Sequence, residues 1–191
     1  MTATDRVDRA LREPGERGRL EREFEVHGEL GKGGMGTVLA ARDLRLCRSV
    51  AVKVLAPALR FDQSAMHRFV LEAQVVAQLE HPNIVPIYGL ACDESGKPGF
   101  SMRLVEGESF REYLDACGTS AKASATEPHD LDSRLERFLK ACDAIEYAHA
   151  RGVVHRDLKP ENIMLGEHNE VYVVDWGLAK VTAPDEEVAE A

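Results

Sequence analysis

Eight consecutive residues, His155-Arg156-Asp157-Leu158-Lys159-Pro160-Glu161-Asn162, put three complementary chemistries into one short stretch. Asp157 offers a carboxylate that can accept the proton of a hydroxyl group. Lys159, two residues on, can neutralise charge on a phosphoryl group in flight, and Asn162 offers an amide oxygen, a hard ligand suited to magnesium. Short apolar runs flank the stretch, Val153-Val154 before it and Ile163-Met164-Leu165 after it, and both read as strands. Any fold for this chain has to present that loop.

Residues 1–22 mix Arg, Glu and Asp with few apolar positions, and Pro14-Gly15 interrupts them, which predicts a solvated, loosely structured arm. From Phe24 the pattern changes. Phe24 to Leu30 alternates as a half-buried strand should, runs into Gly31-Lys32-Gly33-Gly34-Met35-Gly36, and resumes as a strand through Val38, Leu39 and Ala40. Dinucleotide folds use the same glycine spacing, but there the glycines open a helix. Here a strand resumes, which predicts a β-hairpin. Glycines let a backbone approach phosphates closely and expose its N–H groups, while the bland reading is a glycine hairpin with no ligand.

Val50-Ala51-Val52-Lys53-Val54 is a further short strand, whose single lysine would ordinarily face solvent. Met66, Phe69, Val70, Ala73, Val76 and Ala77 recur at three- and four-residue steps and predict a helix over 64–79 with Ser64 as its N-cap. Glu72 lies on that helix, nineteen residues beyond Lys53. Pro82 ends the helix, a strand follows to Tyr88, Gly96 to Gly99 mark a hairpin turn, and residues 100–105 read as another strand. A small, polar surface loop is expected over 117–130. Leu131, Leu135, Phe138, Cys142, Ile145 and Ala148 or His149 then share one face of a long helix, read as core and closed by Gly152. Val171-Tyr172-Val173-Val174 delivers Asp175-Trp176-Gly177, eighteen residues after Asp157.

Taken in this order, the glycine hairpin, the strand lysine, the helix glutamate, the His155–Asn162 loop and Asp175-Trp176-Gly177 resemble the motif set of eukaryotic-type (Hanks-type) protein serine/threonine kinases over about residues 24–181. G-K-G-G-M-G and D-W-G-L-A-K read most like the bacterial branch. The resemblance implies an α+β fold: an antiparallel β N-lobe with one helix, αC, and the hinge over 23–105, then an incomplete, mainly helical C-lobe over 106–181. The charged arm 1–22 and an acidic tail 182–191 flank them.

It also implies ATP and Mg2+ as cofactors. Leu30, Gly31, Lys32, Gly33, Gly34, Met35, Gly36, Val38, Ala51, Lys53, Met102, Val105 and Met164 would contact the nucleotide, with Met102 as gatekeeper and Arg103 to Val105 as hinge. By the same resemblance Lys53, held by Glu72, orients the phosphates, Asn162 and Asp175 bind magnesium, Asp157 takes the acceptor's proton and Lys159 stabilises the transferring group. Trp176 stands where the family has phenylalanine, as an apolar plug expected to pack with Val76, Ile87 and His155. Arg156 implies control through an activation loop. After Lys180 the family's activation segment and A-P-E motif have no counterpart, which predicts a truncated chain, a possible partner chain supplying the missing lobe, and uncovered apolar surface on the helix from Leu131.

The net charge of -9 argues against a nucleic-acid binder, which would show a basic face. Cys47, Cys92, Cys117 and Cys142 have no C-x-x-C spacing and read as reduced thiols of a cytoplasmic protein, not a disulfide frame or a zinc site. No apolar run is long enough to span a bilayer. The expected function is transfer of the ATP γ-phosphate to Ser/Thr hydroxyls of a protein substrate. Two alternatives stay open: an ATP-binding pseudokinase or interaction module, favoured by the missing substrate platform, and a small-molecule phosphotransferase, a class that generally lacks the Lys159-Pro160-Glu161 run.

Overall fold

The computed structural model describes residues 18–93, 96–119 and 131–182. Most of the expected arm, residues 120–130 of the expected loop and all of the expected tail except Thr182 lie outside the described residues. The chain divides into two compact units, Met1–Gln78 with Pro86–Leu104, and Leu79–Val85 with Val105–Ala191.

The first unit is built on a six-stranded sheet. Its strands are β1 (Gly18–Arg19), β2 (Phe24–Lys32), β3 (Gly36–Asp43), β4 (Arg48–Leu55), β5 (Ile87–Cys92) and β6 (Pro98–Arg103), in the spatial order β1-β5-β6-β4-β3-β2. All neighbours are antiparallel except β1 and β5. A single turn of helix, α1 (Leu20–Glu23), joins β1 to β2, and α2 (Gln63–Val76) crosses from β4 toward β5. β4 is central and β-branched, as a strand buried on both faces should be. Val50 and Val52 join Leu20, Phe24, Ala41 and Ala91 in one apolar cluster, while Leu55 joins Phe69, Ala73 and Phe100 in another. Lys53, two residues from Leu55, therefore shares the face of β4 that α2 covers.

Three expectations need correction here. The loosely structured arm does not reach residue 22: Gly18–Arg19 pairs with β5 and Leu20 is buried, because one leucine among charged neighbours is enough to anchor a turn. β2 is not half-buried. Only Phe24 is, and Val26 and Leu30 are 55% and 54% exposed, because β2 is an edge strand with β3 alone beside it. The cap of α2 is Asp62, not Ser64: its carboxylate accepts from the Ala65 N–H at 3.0 Å. Asp62→Ala is expected to cost about 1 kcal/mol. Chemical denaturation should show that loss as a lower midpoint at unchanged slope.

In the second unit, a three-stranded sheet orders β7 (Gly107–Ser109), β9 (Ile163–Gly166) and β10 (Val171–Val173) as β10-β9-β7, and β8 (Val153–Val154) pairs with β11 (Lys180–Val181). Among the described residues two α-helices complete it, α3 (Phe110–Thr119) and α4 (Leu131–Ala150), so residues 117–119 belong to a helix and not to the expected loop. Ser109 and Glu112 form a capping box at the start of α3, with the Ser109 N–H and hydroxyl both donating to Glu112 Oε2. At the end of α4, Gly152 turns the chain with φ of +70°, and a Cβ there would lie 2.9 Å from the Thr182 carbonyl oxygen.

The buried face of α4 is Ala141, Ala144 and Ala148, so of the stripe read as core only Ala148 is buried, and the large side chains of that stripe form the uncovered apolar surface expected on this helix. Leu131, Leu135, Phe138 and Leu139 are 64%, 47%, 47% and 59% exposed. Small side chains let the helix sit close on β8 and β10, and the large ones are turned out by the same rotation.

Candidate functional site

In the first unit, β4 and α2 bring Lys53 and Glu72 together. The Lys53 Nζ lies 2.6 Å from Glu72 Oε1, with side chains only 10% and 5% exposed. Lys53 sits opposite Phe100 in the β4–β6 ladder and opposite Val38 in the β3–β4 ladder. Two charges withdrawn from water in this way recover little net stability, since desolvation cancels most of their attraction. The pair fixes where an ammonium sits.

The glycine stretch runs from the end of β2 through the turn at residues 33–35 into the start of β3. Gly33 N–H donates to the Gly36 carbonyl at 2.8 Å, closing it. Gly36 packs so tightly that a Cβ would stand 2.2 Å from the Val54 carbonyl oxygen, so no side chain fits. Gly31 and Gly34 are different: a Cβ there would meet nothing within 4 Å. Their bare backbone borders open space that side chains would otherwise occupy, which fits a phosphate-bearing ligand. Lys32 and Met35 flank these glycines, and Met35 packs partly against the cluster of Leu55, Phe69, Ala73 and Phe100. Gly31 pairs with Val38, and Ala51 with Met102, so these expected nucleotide contacts lie on the same sheet as Lys53, with Leu30 on exposed β2.

In the second unit, residues 155–162 form a loop between β8 and β9. Lys159 Nζ donates to Asp157 Oδ2 at 2.8 Å, and Asn162 Nδ2 donates to the same oxygen at 3.1 Å and to the Asp157 carbonyl at 2.8 Å. The hydrogen bond from Lys159, ahead of that from Asn162, holds the Asp157 carboxyl below the usual carboxylate range, and in return Asp157 raises the Lys159 ammonium. Asp175 also adds to that rise, so it lies within electrostatic reach of Lys159.

The Asn162 amide nitrogen is committed to Asp157, which leaves its oxygen as the atom for a cation. With the Asp175 carboxylate this makes a hard-oxygen donor set suited to Mg2+, which usually takes one or two protein oxygens and completes its shell with water and phosphate. Among the described residues no group of three or more His, Cys, Asp and Glu could hold a metal by itself.

Buried His155 sets the backbone on both sides. Its Nδ1 accepts from the Asp157 N–H at 3.3 Å, and its Nε2 faces the Val174 carbonyl at 3.1 Å, so the proton sits on Nε2. Burial pushes its pKa below the ordinary value, and the neutral ring can both accept and donate. Its ring meets that of Trp176 at 4.5 Å between centroids. Arg156 and Asp175 both have positive φ, 66° and 57°, a conformation non-glycine residues adopt only when their surroundings impose it.

The expected site residues thus fall into two groups. Lys53, Glu72, Gly31 to Gly36, Leu30, Val38, Ala51 and Met102 belong to the first unit; Val105, Asp157, Lys159, Asn162, Met164 and Asp175 belong to the second. Sequence reasoning missed two ties. Arg111 Nε donates to Glu161 Oε1 at 3.0 Å, fifty residues away, and Arg156 Nε donates to the Leu178 carbonyl at 2.6 Å. No spacing rule pairs residues that far apart.

Comparisons with known proteins agree with one another. The family described as the protein kinase domain matches residues 24–191. The chain is 36% identical over 170 residues to the serine/threonine-protein kinase PknD of Protochlamydia amoebophila, covering 86% of this chain and 17% of that protein. It is 37% identical over 168 residues to PknD of Chlamydia felis, covering 86% and 18%, and 39% identical over 158 residues to PknD of Chlamydia trachomatis, covering 82% and 17%. The chain therefore spans about a sixth of the length of these curated relatives.

Proposed function

The chain belongs to the protein kinase family, in its Hanks-type serine/threonine branch with bacterial relatives, and from that membership we propose that it transfers the γ-phosphate of ATP to serine or threonine hydroxyls of a protein substrate, with Mg2+ as the metal. The observation that carries the reading is the trio in the second unit: one oxygen of Asp157 held at 2.8 Å by Lys159 and at 3.1 Å by Asn162. A structural ion pair would not need an amide and an ammonium on the same carboxylate oxygen beside a second carboxylate.

Bound Mg-ATP supplies the activated phosphoryl group. The remaining roles belong to this chain's own side chains. Asp157 orients the acceptor hydroxyl and accepts its proton; Lys159 places positive charge where charge builds on the transferring group. Asn162 and Asp175 offer oxygens to the metal. Lys53, fixed by Glu72, presents an ammonium to phosphate oxygens, and the bare backbone of Gly31 to Gly36 lets them approach. Leu30, Val38, Ala51, Met102, Val105 and Met164 are the proposed apolar contacts of the nucleotide. Catalysis of this kind is positioning and charge neutralisation, with little covalent chemistry for the protein to perform.

Binding to the folded state raises apparent stability by mass action. A thermal melt of the full chain is expected to shift upward with Mg-ATP, and the shift is expected to vanish in Asp175→Ala. A shift that survives that substitution would remove Asp175 from the metal site. Among the described residues no helix is long and apolar enough to cross a membrane.

A further inference from the structure

We infer that the segment Gly18–Glu23 is a strap that positions Lys53, with Leu20 as the positioning residue. The segment precedes the residues that match the family, which begin at 24. The inference rests on the reading of Lys53 as the ammonium that meets phosphate.

The strap is fastened at both ends. At one end Gly18 and Arg19 pair with Ala91 and Cys92 of β5. At the other, the Glu23 carbonyl accepts from the Leu44 N–H at 2.8 Å, and Glu23 Oε1 accepts from the Arg45 guanidinium at 3.0 Å. Between these ties Leu20, 8% exposed, enters a cluster with Phe24, Ala41, Val50, Val52 and Ala91. Val50 and Val52 face away from the side of β4 that carries Lys53, so the strap braces the back of the sheet.

Its socket depends on a missing side chain. A Cβ on Gly99 would stand 2.9 Å from Leu20 Cδ1 and 3.1 Å from the Lys53 carbonyl oxygen, so Leu20 rests on bare backbone beside Lys53. A glycine inside a strand marks such a close approach, and with Pro98 before it this is a weak stretch of β6: the glycine packs nothing and the proline donates nothing to the ladder. Leu20 supplies the missing packing. The next residue, Phe100, lies opposite Lys53 in the β4–β6 ladder, and its ring is 5.1 Å from that of Phe69 on α2, the helix that carries Glu72. The plug is thereby connected to both partners of the Lys53–Glu72 pair. Ala51 and Met102, proposed contacts of the nucleotide on the same two strands, pair with each other two positions further from Gly99. Loosening the plug should therefore cost contact with phosphate and spare the nucleoside.

The readout is the ratio of ATP to adenosine affinity in Mg2+, by calorimetry on the full chain well below the melting midpoint of each variant. Adenosine has no phosphate for Lys53 to meet, so a general loss of structure lowers both affinities together. Leu20→Ala is expected to lower the ratio about two- to tenfold, part of what one charge-assisted hydrogen bond is worth, with adenosine affinity unchanged. Gly99→Ala, whose methyl group competes with Leu20 Cδ1 for the same space, is expected to show the same fall. The double variant should fall no further than either single one, since both act on one contact. Leu20→Met, which keeps the volume, is expected to retain the parent ratio. If Lys53→Met collapses the ratio while Leu20→Ala and Gly99→Ala leave it at the parent value, or lower both affinities together, the strap only stabilises and the inference is overturned. If Lys53→Met also leaves the ratio unchanged, the reading of Lys53 fails and the inference falls with it.

Discussion

Asp157→Asn is expected to lower the rate of phosphate transfer by about 10²- to 10⁴-fold while leaving ATP affinity near that of the parent. The substitution keeps the side chain's size and removes its charge and its proton-accepting oxygen. Its amide oxygen can take the place of Oδ2 and still accept from Lys159 and Asn162, now at 2.8 Å and 3.1 Å, but the negative charge beside the Lys159 ammonium is gone. Lys159 holds the carboxyl at a depressed pKa, so Asp157 is ionised throughout the neutral range and is a weak base. A weak base placed on an acceptor hydroxyl contributes more by orienting it than by stripping its proton early. The loss should therefore appear in kcat. A matching loss of ATP affinity would instead place Asp157 among the nucleotide contacts.

The second large effect concerns the buried pair. Lys53→Met leaves the Glu72 carboxylate, only 5% exposed, without the ammonium 2.6 Å away, and breaking such a pair costs about 3–5 kcal/mol. Replacing both partners, as Lys53→Met with Glu72→Leu, removes both desolvation penalties and is expected to recover most of that stability. Mg-ATP binding should stay lost in both variants, because neither has an ammonium to offer phosphate. Stability and binding therefore separate in the double variant. Recovery of both together would make the pair a structural feature only.

What could be read from residues alone follows from how local each cause is. Lys53 and Glu72 are nineteen positions apart but sit on a strand and a helix with clear periodicity, and their pairing followed from the family resemblance. Residues 153–165 were legible because each step, strand, loop and strand, is set within a few positions. The α4 face was legible only in part: uncovered apolar surface was expected there, its alanine contact was not. Leu135 and Phe138 match an apolar stripe as well as Ala141, Ala144 and Ala148 do, and the stripe rule favours the larger side chains. Packing against β8 and β10 favours the alanines. Leu20 was averaged away by its charged neighbours, and Asp62 lost to Ser64 because capping depends on the backbone conformation of the residue before the helix. The hydrogen bond that the Trp176 indole N–H donates to the Val173 carbonyl was invisible for another reason: a D-W-G motif announces a bulky plug, and nothing in its letters says where the indole N–H goes.

The most direct test is phosphoamino-acid analysis after incubating the full chain with Mg-ATP and an acceptor protein containing serine, threonine and tyrosine. The account predicts phosphoserine or phosphothreonine, no phosphotyrosine, and no product from Asp157→Asn. Mg2+-dependent ATP binding with no phosphorylated product, or product that persists in Asp157→Asn, would contradict it.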